Sequence, residues 1–241
     1  MNALRIGLIL AALVAGALAV HLWEGSGRRG SLPVPPAARS DFSATVVQVI
    51  DGDTLRLSGG LRVRLIGVDA PERGHPLYTA AREGCRSLAG GRTVRLTIGE
   101  DRPVDDYGRT LALVHAGDLL INEELLARGL ARAYFRSEKD LPAEMARRLV
   151  RAQCRAIDGR LGLWGLPGAL ATASGERLVE TRFRFHRAGC PALAESREGR
   201  ALPPSHNTRE AALRSGKSPC RTCNPRRRRY WNCNRARRRS R

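Results

Sequence analysis

Between Ser43 and Ile66 three strand-like stretches succeed one another with only turn residues between them. That spacing commits the chain to antiparallel hairpins before anything else. The first stretch, Ser43 to Ile50, is dense in β-branched residues and ends at Asp51-Gly52. The second, Leu55-Arg56-Leu57, resumes across that turn, and Ser58-Gly59-Gly60 turns the chain again. The third, Leu61 to Ile66, alternates apolar with basic side chains before Gly67-Val68, the period of a strand with one buried face. These strands run into two acidic loops, Asp51-Gly52-Asp53-Thr54 and Asp69-Ala70-Pro71-Glu72.

Two more strands and three helices are expected downstream. Tyr78 to Leu88 reads as a helix closed by Gly90-Gly91, and Thr93 to Ile98 as a strand. Thr110 to His115 reads as another strand, following the turn Asp105-Asp106-Tyr107-Gly108-Arg109. Asn122 to Arg128 is expected as a short helix capped by Asn122 and stopped by Gly129. Pro142 to Ile157 is a longer amphipathic helix with its proline in the first turn. The order β-β-β-α-β-β-α-α suits a mainly β domain, a five-stranded Greek-key barrel of the OB-fold type with three helices around it.

The residues at the strand ends point to one chemistry. A phosphodiester repels nucleophiles, so its cleavage needs charge neutralisation, a placed water and a base. Asp53 and Asp69 are hard oxygen ligands of the kind calcium takes, and a nearby backbone carbonyl could add to them. Glu72 lies three residues past Asp69, beyond the stiff Pro71, where it can act as general base toward a water. Arg64 and Arg109 can each offer a planar fork of donors to phosphate oxygens. Each run alone is ordinary: Asp-Gly-Asp-Thr is a common turn, and Asp-Ala-Pro-Glu could simply start a helix. Their joint presence in this order, with every charged position filled, carries the reading. His75 and His115 are isolated, and neither a Ser, His and Asp set nor a glycine-rich phosphate loop is present.

Together these runs resemble those of the staphylococcal nuclease (thermonuclease) family, over about residues 42–165. The resemblance implies an OB-fold, calcium-dependent endonuclease, a hydrolase acting on DNA and RNA and leaving 3′-phosphate ends. It implies calcium ligation by Asp53, Asp69 and the Ala70 carbonyl, with Asp51 behind them. It also implies Glu72 as general base, Arg64 and Arg109 as catalytic phosphate-binding arginines, and Tyr107 touching a nucleotide phosphate. Ala70 stands where threonine is common, which matters little if only the carbonyl binds. The competing reading is a non-catalytic nucleic-acid-binding protein at the cell surface.

Charge and targeting set the context. A formal charge of +19 and a pI near 11.3 call for an acidic partner, nucleic acid or an anionic membrane surface. Arg5 precedes an apolar run from Ile6 to Val20, and Ala17-Leu18-Ala19 is placed like a processing site. Residues 1–23 therefore read as an export segment, either a cleaved signal peptide or an uncleaved membrane anchor. Both place the working parts outside the cytoplasm, secreted or tethered, and a monomer is expected. Residues 24–41 read as a linker, 42–167 as the barrel domain, 168–180 as a second linker and 226–241 as a disordered arginine-rich tail.

Residues 181–225 hold the other chemistry. His186-x3-Cys190 and Cys220-x2-Cys223, about thirty residues apart, offer four ligands in two close pairs, the pattern of a closed structural zinc site. The segment resembles the small metal-binding module of the Ada DNA-repair protein, with His186 where that module has cysteine and a helix from Thr208 to Ser215 between the pairs. Disulfide pairing, which export would permit, is the alternative. Cys85 and Cys154 could bridge or remain buried thiols, and Cys233 is left over in the tail.

Overall fold

The computed structural model describes residues 42–99, 102–172, 174–194, 200–201, 208–220 and 222–223. The stretches read as an export segment, a linker at 24–41 and an arginine-rich tail, with Cys233 in the last, lie outside the described residues. Among the described residues no helix is long and apolar enough to cross a membrane.

Five strands close into a barrel. β1 (Phe42–Asp51), β2 (Thr54–Leu57) and β3 (Arg62–Leu65) form the expected meander, and β5 (Thr93–Ile98) pairs with β1 and with β6 (Thr110–Ala116). A parallel pairing of β3 with β6, Val63 opposite Thr110 and Leu65 opposite Ala112, shuts the sheet on itself. Closure removes the exposed edges that an open sheet would have to protect. In β5 the threonines and Arg95 face outward while Val94, Leu96 and Ile98 are buried, the alternation that the pleat demands. Register shifts in β1 between Val46 and Gln48, and between Val49 and Asp51, mark bulges that bend the strand around the barrel. Leu55, Leu57, Leu65 and Leu96 fill the interior with 1% exposure or less, and each such side chain contributes about 2 kcal/mol of burial.

The helices seal the barrel. They are α1 (Tyr78–Ala89), α2 (Ile121–Ala127) and α3 (Ala143–Asp158). Asn122 does not cap α2, because the helix begins one residue earlier and Leu120 occupies the cap position without a side-chain bond. Asn122 is instead fully buried, accepting from the Val114 amide at 2.9 Å and donating to the carbonyls of Ile66 and Ala112 at 2.9 and 3.3 Å. It serves the Val114 amide and the Ile66 carbonyl, and adds a second donor to the Ala112 carbonyl, which already accepts from the Ile66 amide at 3.0 Å. Pro142 likewise precedes α3 rather than lying inside its first turn.

Two short strands matter for the site. β4 (Val68–Asp69) pairs with β8 (Arg132–Ala133), setting Asp69 opposite Arg132. Gly67, just before β4, has φ +75°, and a Cβ there would meet Leu149 Cδ1 at 2.6 Å, so only glycine lets the chain turn this tightly into β4. β7 (Leu119–Leu120) extends the sheet beside β6.

Beyond the barrel, β9 (Leu178–Glu180), β10 (Arg184–Arg187), β11 (Arg200–Ala201) and β12 (Ser218–Pro219) make a second small sheet. Short helices α4 (Pro191–Ala194) and α5 (Arg209–Arg214) accompany it. Leu170 and Leu178, in the stretch read as a linker, are buried in a core that joins Ala156, Ile157 and Trp164 to Phe185, Ala212 and Leu213. Gln153 of α3 clamps the two parts: its Oε1 accepts from the Ala133 amide at 2.8 Å, and its Nε2 donates to the Leu213 carbonyl at 2.7 Å. Ser218 Oγ donates to the Ala133 carbonyl at 2.9 Å.

Candidate active site

Asp51-Gly52-Asp53-Thr54 is the β1–β2 turn. The Asp53 amide donates to Asp51 Oδ1 at 3.2 Å, a local turn bond that tips the Asp53 side chain inward. Gly52 makes this possible, since a Cβ there would lie 2.7 Å from Ala70 Cβ and 2.9 Å from Ala81 Cβ. The acidic turn can thus press against the Ala70 loop, and the Ala70 amide donates to Asp53 Oδ2 at 2.6 Å.

Both predicted ligand carboxylates are buried, Asp53 at 7% exposure and Asp69 at 4%. Arg64, at the inner end of β3, lies between them. Its Nη1 approaches Asp53 Oδ2 at 2.7 Å as an ion pair without hydrogen-bond alignment, and its Nη2 reaches Asp69 Oδ1 at 3.5 Å. Burial pushes the Asp53 carboxyl up to about 7 against the pull of Arg64, with the charges of Asp51 and Asp69 adding to the rise. Burial works against the Arg64 cation as well. The carboxylates of Asp53, Asp69, Asp51 and Glu72 outweigh it, so the guanidinium is held protonated. Glu72 itself is exposed on the loop after β4.

The second arginine arrives from the β5–β6 connection. Asp105 Oδ1 accepts from the amides of Tyr107 and Arg109 at 2.9 and 3.0 Å, and its Oδ2 accepts from Arg109 Nε at 2.8 Å. Burial alone would raise the Asp105 carboxyl, but these bonds hold it below its ordinary value. Arg109 Nη1 donates to Thr54 Oγ1 at 3.3 Å, and Thr54 Oγ1 donates to Asp53 Oδ1 at 3.1 Å. Tyr107 is 77% exposed, with the Arg109 guanidinium 5.3 Å from its ring centre.

All three sequence runs therefore meet at one end of the barrel. A chain of contacts runs from Asp105 through Arg109, Thr54, Asp53 and Arg64 to Asp69. It continues to a residue that the sequence did not single out: Arg132 donates from Nε and Nη2 to Asp69 Oδ2 at 2.9 and 2.6 Å. Arg132 stands 63 positions from Asp69 and belongs to no local motif, so only the β4–β8 pairing reveals it. Asp105 was legible in principle, as an acid four residues before Arg109. Two buried carboxylates with Asp51 beside them, one pushed up by burial and like charge, make a hard-oxygen donor set that gains from a divalent cation.

The staphylococcal nuclease homologue family model matches residues 62–165. Among curated proteins, a micrococcal nuclease of Shigella flexneri is 36% identical over 150 residues, 57% of this chain and 82% of the relative. A thermonuclease of Staphylococcus intermedius is 39% identical over 132 residues, 51% of this chain and 76% of the relative. An uncharacterized endonuclease of Escherichia coli is 31% identical over 133 residues, 54% of this chain and 81% of the relative.

The chain belongs to the staphylococcal nuclease family.

Its closed barrel with flanking helices is the OB-type scaffold of a phosphodiester nuclease. The cysteine-containing sheet lies beyond the residues that the family model matches. There the ligand atoms of His186, Cys190, Cys220 and Cys223 lie within 4.8 Å of one another. Cys190 Sγ and Cys220 Sγ are 3.9 Å apart, whereas sulfurs on a tetrahedral zinc stand about 3.8 Å apart and a disulfide needs about 2 Å. His186 Nδ1 is buried without a hydrogen-bond partner. Burial and the Arg184 charge hold His186 below its ordinary value, leaving the neutral imidazole that a metal requires. Burial works against the Cys220 thiolate, but bonds from the amides of Cys223 and Thr222 and from the neighbouring thiols bring it below its ordinary value. The donor set fits zinc. Cys85 and Cys154 are free thiols, not a disulfide.

Proposed function

We propose that this nuclease is a calcium-dependent endonuclease, exported from the cytoplasm, that hydrolyses phosphodiester bonds of DNA and RNA to 3′-phosphate products. The observation that carries the reading is the single contact chain joining Asp105, Arg109, Thr54, Asp53, Arg64 and Asp69 at one end of the barrel. In this reading Asp53, Asp69 and the Ala70 carbonyl hold calcium, with Asp51 supporting Asp53 through its amide. Bound calcium supplies positive charge beside the scissile phosphate. Glu72, exposed beside this cluster, takes the proton from the attacking water. Arg64 and Arg109 give phosphate oxygens their guanidinium forks, and those forks are worth most where charge accumulates in the transition state. Tyr107, exposed on the Arg109 turn, meets the phosphate of a bound nucleotide.

The same reading gives zinc to His186, Cys190, Cys220 and Cys223. Four protein ligands leave no open position, so the role is to hold the C-terminal sheet. The N-terminal apolar segment would export the protein or tether it, and N-terminal sequencing of the mature form distinguishes the two.

The test uses the purified full chain with plasmid DNA and with single-stranded RNA, in calcium and in chelator. Cleavage confined to calcium, with 3′-phosphate ends on the products, is expected. Intact plasmid in calcium would leave a binding protein and reject the enzyme.

A further inference from the structure

The connection after β8 and the loop entering β10 face each other across an open groove of about 580 Å³, within the range of ligand-sized clefts. Its walls carry Arg136 and Lys139 on one side and Arg182, Phe183 and Arg184 on the other, with Glu138 as the single carboxylate among the lining residues. We infer that this groove is a second nucleic-acid subsite, which takes the single strand beyond the scissile phosphate through its backbone and a stacked base. The inference rests on the nuclease reading for its ligand class.

Three observations carry it. Charge comes first: four cations surround one acid, and Arg136, Lys139 and Arg182 are exposed, so phosphates can reach them. Planar surfaces come second. The Arg184 guanidinium lies 4.1 Å from the centre of the Tyr134 ring, and Arg182 lies 5.9 Å from that of Phe183. Arg184 is held in place by donating to the Phe135 and Phe183 carbonyls, each at 2.8 Å. Fixed guanidinium planes and aromatic faces are what unpaired bases stack on. Position comes third. Arg136 Nη1 reaches Asp106 Oδ2 at 3.4 Å, and Asp106 lies on the turn that carries Tyr107 and Arg109. The groove wall is thereby tied to the phosphate-binding turn of the active site. Arg182, Phe183 and Arg184 lie outside the family-matched residues, so this wall is an addition specific to the C-terminal segment.

Glu138 sets the sign of the test. It pairs with Arg182 across the groove, and an incoming phosphate must compete with it.

The experiment measures Kd of the full chain for a fluorescent twelve-nucleotide single strand by anisotropy, in chelator and over a range of salt, alongside calcium-dependent cleavage of a dinucleotide. Lys139→Ser with Arg182→Ser should weaken the long strand roughly tenfold and lower its salt slope by about 1.4, as two lost phosphate contacts require. Dinucleotide turnover should be unchanged. Glu138→Gln should tighten the long strand several-fold. Unchanged affinity and slope in these variants, or dinucleotide turnover falling in step with affinity, overturns the subsite. So does a double variant that loses only its binding to anionic phospholipid vesicles, which would make the groove a membrane contact. Failure of the nuclease reading would appear separately, as no cleavage of the dinucleotide by the wild-type chain in calcium.

Discussion

A guanidinium on a turn is mobile until something fixes it, and Asp105 fixes Arg109 from its backbone and its side chain at once. Arg132 does the same for Asp69, pinning one carboxylate oxygen while Arg64 stands at the other. These roles differ from that of Glu72, which is exposed and, in the proposed function, moves a proton. Glu72→Gln should therefore lower kcat by about 100- to 10,000-fold with little change in KM, since only proton transfer in the transition state is lost. A variant cutting at the wild-type rate would place the base elsewhere. Arg132→Ala strips two charge-assisted bonds from a buried carboxylate, and a loss of about 2 kcal/mol in urea unfolding is expected. Stability within a few tenths of the wild type would mean that Asp69 is balanced without Arg132. The motif residues were legible because each lies in a short run with its turn chemistry. Arg132 was not, because its partner is brought to it only by the pairing of two two-residue strands.

At the scale of elements, alternation and β-branching made the five barrel strands readable, while the groups that join them were not. Asn122 is the instructive case. Its position before a helical run suggested a cap, yet its partners come from Val114, Ile66 and Ala112, which no local pattern links to it. The two readings predict different costs. Loss of a cap costs about 1 kcal/mol, whereas stranding the buried Val114 amide and Ile66 carbonyl costs roughly 2–5 kcal/mol. Asn122→Ala should fall in the upper range by chemical denaturation. A loss near 1 kcal/mol would show that the barrel re-pairs those groups without it. Gln153 belongs to the same class, a helix side chain whose amide and carbonyl oxygen join β8 to α5. Polar residues that serve another element's backbone leave no periodic trace in sequence, so hydrophobic pattern alone reads them as surface or cap.

At the scale of the whole molecule, net charge pointed to a polyanionic partner without saying where it lies, and cysteine spacing pointed to a ligand cluster without saying what depends on it. The fold ties the second question to the nuclease domain. Ala133 has its amide held by Gln153 and its carbonyl by Ser218, and Ser218 lies two residues before Cys220. Beside Ala133 on β8 is Arg132, which grips Asp69. A short covalent and hydrogen-bonded path therefore joins the cysteine cluster to a predicted calcium ligand. In the zinc reading, the full chain should carry about one zinc, and its cobalt-substituted form should show the tetrahedral spectrum and thiolate charge-transfer bands of a three-sulfur site. Removing zinc and then restoring calcium should lower the thermal midpoint and speed amide exchange in β9, β10 and α5 and in β8, while the barrel strands stay protected. If metal removal leaves β8 exchange unchanged, the site holds only its own sheet. A metal-free chain with two of its three cluster thiols oxidised to each other would replace zinc with a disulfide.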